Sequence, residues 1–128
     1  MNIKNTKVLV LGGWGLVGLS VCKKLIERSV SELVILSLER YQAEEAVEML
    51  KDSNDIKLTP EWGNIFVRDA LKDSTRSQII ENAEHRNMII DDVLNDWTED
   101  ILHRSHLFQV IDNHKPDIVI DCVNSATA

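Results

Sequence analysis

Long apolar runs are missing from this sequence, and none approaches the length needed to cross a bilayer. Met1-Asn-Ile-Lys-Asn5 also lacks the apolar core of a secretory signal, so the expected compartment is the cytoplasm and no membrane partner is expected. Cysteine is scarce. Cys22 and Cys122 share no C-x-x-C spacing and read as small core residues in a reducing compartment. Positive charge is short as well: 14 Lys and Arg stand against 21 Asp and Glu, a net charge of −7 that no basic stripe relieves. A nucleic-acid surface is therefore not expected. The four histidines have no metal-ligand spacing with cysteines or carboxylates, and Asp91, Asp92 and Asp96 read as a solvated acidic loop, so no metal site is expected. Ser20 does not sit at the centre of a G-x-S-x-G elbow. Repeats, low-complexity segments and linkers are absent too. What remains is 128 residues, 44% apolar and 27% charged, the make-up of one soluble domain with one core.

The stretch from Lys7 to Arg28 carries the most information. Val8-Leu-Val-Leu11 is a continuous apolar run, as a parallel strand covered on both faces requires. Gly12, Gly13 and Gly15 then form a turn, and Gly18 falls in the first turn of a helix whose apolar positions are Val21, Cys22, Leu25 and Ile26. Two glycine registers fit, Gly13-x-Gly15-x-x-Gly18 and Gly12-x-x-Gly15-x-x-Gly18. Such a turn has a physical use. Without Cβ atoms the backbone can approach a ligand, and the helix mouth offers unpaired N–H groups and a positive partial charge to a diphosphate. The expectation is that the bend of four glycines holds its backbone amides and the helix mouth toward that anion, with Gly12, Gly13, Trp14, Gly15, Leu16, Val17 and Gly18 as cofactor-binding residues. Trp14, inside the loop, is expected to cover the diphosphate edge.

Further on, Leu33-Val-Ile-Leu36 predicts a second buried strand after a turn at Ser31-Glu32. Ala43, Ala46, Val47 and Leu50 predict a helix ending near Lys51 to Asn54. Ile56 to Pro60 reads as a connection and Asn64-Ile-Phe-Val67 as a third strand, followed by Arg68-Asp-Ala-Leu-Lys-Asp73. Between Ser74 and Asp96 the pattern is faint. Ile79, Ile80 and Ala83 suggest a short helix, and Met88, Ile89, Ile90, Val93, Leu94 and Trp97 a helical face. Thr98 with Glu99 and Asp100 reads as a capped start, its helix running through Ile101, Leu107, Phe108 and Ile111 to Lys115-Pro116. Asp117 to Val123 predicts a fourth buried strand. The alternation predicts an α/β fold, a doubly wound parallel sheet ordered 3-2-1-4 with helices on both faces.

With these elements in place, the sequence resembles the N-terminal half of an extended short-chain dehydrogenase/reductase, the family of NAD-dependent epimerases and dehydratases. Gly12-Gly-Trp-Gly-Leu-Val-Gly18 is similar to that family's glycine loop, and Lys115-Pro-Asp-Ile-Val-Ile-Asp-Cys-Val-Asn-Ser-Ala126 to its fourth strand. The resemblance implies a Rossmann-like NAD(P)-binding domain over residues 1–128, with Asn124, Ser125 and Ala126 near the nicotinamide ribose. Arg68 to Asp73 is similar to the post-strand segment whose Asp meets adenine, which implies that role for Asp69 and Ala70; an alternative register gives it to Asp92 and Val93. At the end of the second strand Ser37 stands where NAD-preferring members have an acid. Ser37 with Arg40 would suit the 2′-phosphate of NADP, and Glu39 turned inward would suit NAD; the missing acid tilts the choice to NADP.

The family's catalytic Tyr-x-x-x-Lys has no counterpart, because the only tyrosine, Tyr41, is followed four residues on by Glu45. No catalytic residue is therefore assigned, and the chain reads as a fragment that meets its small-molecule substrate only with a missing half. A dinucleotide-sensing or interaction module is the alternative, and a dinucleotide-independent domain the third. The fourth strand, if last in its sheet, leaves an open edge that a second copy could pair.

Overall fold

Lys7–Leu11 (β1), Glu32–Ser37 (β2), Lys57–Trp62 (β3) and Ile118–Asp121 (β4) form one sheet in the order β3-β2-β1-β4 in the computed structural model, which describes residues 1–52 and 55–124. All three pairings are parallel, with Leu9 opposite Val34 and Val119. The chain divides into two compact units, Met1–Trp62 with His114–Ala128, and Gly63–Asn113.

The first unit holds the sheet. Val8 and Val10 of β1 and Leu33 and Ile35 of β2 pack with Cys22, Leu25 and Ile26 from Leu16–Glu27 (α1) and with Ala46 and Leu50 from Arg40–Leu50 (α2). Side chains alternate along a strand, so Leu9, Leu11, Val34 and Leu36 point to the opposite face, and they are buried as well. This two-sided burial explains why both strands read as unbroken apolar runs. Each such side chain contributes about 1.5–3 kcal/mol. Glu32, expected in a turn, opens β2 because Lys7 and Lys57 reach its carboxylate at 3.1 and 3.3 Å.

Two expectations about the strands are corrected. Asn64 to Val67 is not the third strand; the strand is Lys57–Trp62, which takes in most of the Ile56 to Pro60 stretch read as a connection. Pro60 is accommodated because β3 lies at the sheet's edge, where a residue without an N–H is tolerated. β4 is shorter than expected and only half-buried, its residues alternating between half-buried and exposed, because it forms the other edge.

The second unit is helical: a 3-10 turn at Asp69–Leu71, then Arg76–Glu81 (α3), Ala83–Leu94 (α4), Glu99–Arg104 (α5) and His106–His114 (α6), whose last residue falls in the first unit. Thr75, Asn82 and Thr98 cap α3, α4 and α5 with their side chains, Thr98 accepting from the Ile101 amide as its sequence context predicts. One helix had been expected from Thr98 to Lys115. It breaks at Ser105, whose extended backbone bridges Arg68, while its hydroxyl accepts from the Phe108 amide to start α6. Asp91 and Asp92 are likewise helical rather than part of a loop. Among the described residues no helix is long and apolar enough to cross a membrane.

Candidate functional site

The C-terminal ends of β1, β2 and β4 meet at the glycine loop. Gly12 has φ +75°, a conformation that side chains rarely adopt, and a Cβ there would lie 2.9 Å from the Cys122 carbonyl oxygen. At Gly13 a Cβ would fall 2.4 Å from Ile35 Cγ2, and at Gly18 2.1 Å from the carbonyl oxygen of Gly12. Helix α1 therefore lies directly on the loop that feeds it. The fold is Rossmann-like.

Gly15 differs from the other three. Its φ of −62° suits any residue, and a Cβ would meet nothing closer than the Gly12 oxygen at 3.5 Å. Three glycines are required by the protein's own packing; the fourth is not. The family-style spacing did not distinguish them.

The amides correct one half of the expectation. Gly12 and Gly13 donate to the Leu36 carbonyl at 2.8 and 3.1 Å, Trp14 to Ser37 Oγ at 3.2 Å and Gly15 to the Gly12 carbonyl at 3.2 Å. The bend itself is closed because its N–H groups hold the end of β2. The helix mouth is open: Gly15 supplies no side-chain cap, and α1 has no acid in its first turn. Leu19 is the first amide to reach a helical acceptor, the Gly15 carbonyl, so among the described residues Leu16, Val17 and Gly18 present their N–H groups without one. Gly15, Leu16 and Val17 are exposed.

At the end of β2, Ser37 is buried and its hydroxyl is engaged by the loop. Glu39 does not turn inward: it caps α2, closing a capping box with Gln42. Arg40 pairs with Glu44 at 2.8 Å and lies over the ring of Trp62 at 4.9 Å. Trp14 reaches α2, its indole N–H donating to Glu45 at 2.6 Å and its ring meeting Tyr41 edge-on at 6.2 Å. Trp62 and Glu45 were not among the expected site residues; the spacing of Tyr41 and Glu45 on one helical stripe was the only available signal.

On the other side, Cys122 donates its amide to Leu11 and abuts Gly12, which brings the start of the Cys122 to Asn124 segment to the loop. Asn124 is exposed, and Ser125 and Ala126 lie outside the described residues. Burial pushes the Cys22 thiol up to about 12, the nearby Cys122 adding to it, so Cys22 is an inert core residue. Asp69 and Ala70 are exposed in the 3-10 turn of the second unit, where Asp69 pairs with the buried His106 at 2.9 Å. They do not follow β3 directly, since β3 ends at Trp62 and the turn begins at Asp69. Asp92 and Val93 lie within α4 and do not follow a strand; both Asp92 oxygens are taken by Arg68 and Arg104. Among the described residues no three potential ligands gather for a metal.

Compared with protein-family models and with curated proteins, the chain matches none. Among solved structures it is similar to an A-type ketoreductase of a modular polyketide synthase (21% identity over 94% of this chain, TM-score 0.49). It is also similar to Pen from Bacillus thuringiensis (20% over 63%, TM-score 0.46) and to shikimate 5-dehydrogenase from Listeria monocytogenes (16% over 93%, TM-score 0.41). The chain spans 29%, 22% and 46% of those proteins, respectively.

Proposed function

We propose that the chain is the NAD(P)-binding domain of a short-chain dehydrogenase or epimerase-type oxidoreductase, acting in the cytoplasm, with the substrate-binding half supplied elsewhere. The observation that carries this reading is Gly15. Its missing side chain serves no contact of the protein's own, yet it stands at the uncapped mouth of α1, where a Cβ would fill the space a diphosphate needs. The amides of Leu16, Val17 and Gly18 would hold the diphosphate, and the Asn124 to Ala126 segment would lie toward the nicotinamide ribose. When bound, the cofactor supplies hydride transfer. This chain's residues bind and orient it.

At the adenosine end Ser37 and Glu39 are committed to the loop and to the α2 cap, and Arg40, paired with Glu44 on the exposed surface of α2, is the proposed contact for the 2′-phosphate of NADP. Asp69 and Ala70 remain the proposed adenine contacts. The β4 edge is the proposed pairing surface for a second copy. A dinucleotide-sensing module is the second reading, favoured by one observation: the only tyrosine packs on Trp14 with Glu45, not a lysine, one helical turn away.

The test is a titration of the wild-type chain and of Gly15→Ala with NADPH and NADH, followed by tryptophan emission. Wild type is expected to show quenching and energy transfer to the nicotinamide. Gly15→Ala should lose about tenfold or more in affinity while its stability stays within about 0.5 kcal/mol. Silence of the wild type at millimolar cofactor, or equal binding by the variant, overturns the proposal.

A further inference from the structure

Helix α4 buries none of its twelve residues. One side of it is used. Met88 and Asp92 are half-buried, Asp92 accepting from Arg68 and Arg104, and Arg68 also donating to the Met88 carbonyl at 3.0 Å. The other side carries Ile90, Val93 and Leu94, which are 50%, 68% and 76% exposed, and three residues beyond the helix stands Trp97 at 76%. Ile90, Val93 and Leu94 follow the i, i+3, i+4 spacing of a helix that lays its apolar stripe into a partner, and Trp97 follows in the segment after the extended Asn95. An exposed tryptophan at the end of such a stripe is the residue type that contributes most at interfaces.

Charge identifies the partner. From Glu81 to Asp100 the chain has seven carboxylates and one arginine, so this stretch holds −6 of the whole chain's −7. Asp92 has its charge taken up by arginines, and Glu84, Asp91, Asp96, Glu99 and Asp100 are exposed in the same stretch of chain as the apolar residues. Arg86 donates to the Ile80 carbonyl. A second copy laid on this stripe would bring two acidic margins together, which disfavours self-association.

We propose that the outer side of α4 together with Trp97 is a docking surface for a helical segment whose apolar stripe is bordered by lysines and arginines. Apolar contact supplies the affinity and the acidic margins select the partner. The proposal does not depend on the dinucleotide reading.

The experiment uses the full chain and two synthetic helical peptides of about 18 residues. Both carry leucines at 3/4 spacing; one has lysine on the flanking positions and the other glutamate. Each is labelled and followed by fluorescence anisotropy. The lysine peptide is expected to bind, and to weaken by about tenfold in 0.5 M salt, where the screening length falls to a few ångströms. Leu94→Ser with Val93→Ser should weaken it by about tenfold or more with an unchanged circular dichroism spectrum and melting curve, since neither side chain is buried. Asp91→Lys with Asp96→Lys should shift preference to the glutamate peptide. Equal binding of both peptides, no loss in the serine variant, or no binding at all overturns the proposal. So does sedimentation showing that the chain alone dimerises and that Leu94→Ser dissolves the dimer.

Discussion

The two units of this chain are built in two different ways. The sheet unit buries unbroken apolar runs, so that Val8, Leu9, Val10, Leu33, Val34 and Ile35 are all at 0% exposure. The helical unit Gly63–Asn113 has few buried apolar side chains, Leu71, Ile101 and Val110, and around them a set of polar contacts. Asp92 holds two arginines, Asp69 holds His106, and helix starts are capped by Thr75, Asn82, Thr98 and Ser105. Apolar packing tolerates rearrangement of similar volumes, whereas a charged network fails when one member is removed. The first unit should thus be most sensitive to added atoms, and the second to removed charges and caps.

The largest effect is expected at Gly18. In Gly18→Ala the new Cβ meets backbone, not a flexible side chain, and the cost should exceed about 3 kcal/mol, read as a large fall in melting temperature or loss of the folded state. A stable Gly18→Ala would break the comparison. Next comes Asp92→Ala, which leaves Arg68 half-buried without its partner and should cost about 3 kcal/mol by urea unfolding. Acid sharpens the same point. Burial alone would raise the Asp92 carboxyl, but hydrogen bonds and charge from Arg68 and Arg104 outweigh it and hold it below the ordinary 3.8; Glu32, with Lys7 and Lys57, is likewise held below 4.5. A carboxyl depressed in the folded state stabilises fully above its ordinary value and loses that contribution as pH falls through the depressed one. Wild type should therefore lose stability below about pH 4.5, and Asp92→Ala should show a shallower loss, retaining the Glu32 part. The smallest effect is Thr98→Ala, which removes the cap of α5 and should cost about 1 kcal/mol in the same unfolding assay.

The same contrast decides what could be read from sequence. Apolar periodicity is the signal of packing, so the strands β1 and β2, the helices α1 and α2 and the 3-2-1-4 order were all legible. In the second unit the helices are placed by caps and by Arg68 reaching 24 residues ahead to Asp92, a contact that no local pattern announces. The cap at Thr98 was visible because a cap is a local device; the break at Ser105 was not, since it depends on a bridge to Arg68. At the candidate site the glycine spacing gave all four glycines one role. Only the geometry separates those that let α1 lie on the loop from Gly15.

Pro60 sets a direction on the sheet. It sits in β3 opposite Ile35, with the charged Glu61 beside it, and contributes no amide hydrogen to that margin. β4 at the opposite margin carries no proline. A strand added to the sheet, whether from this chain or another, is therefore favoured past β4, next to the loop rather than away from it. That flank borders the place where the dinucleotide is proposed to lie.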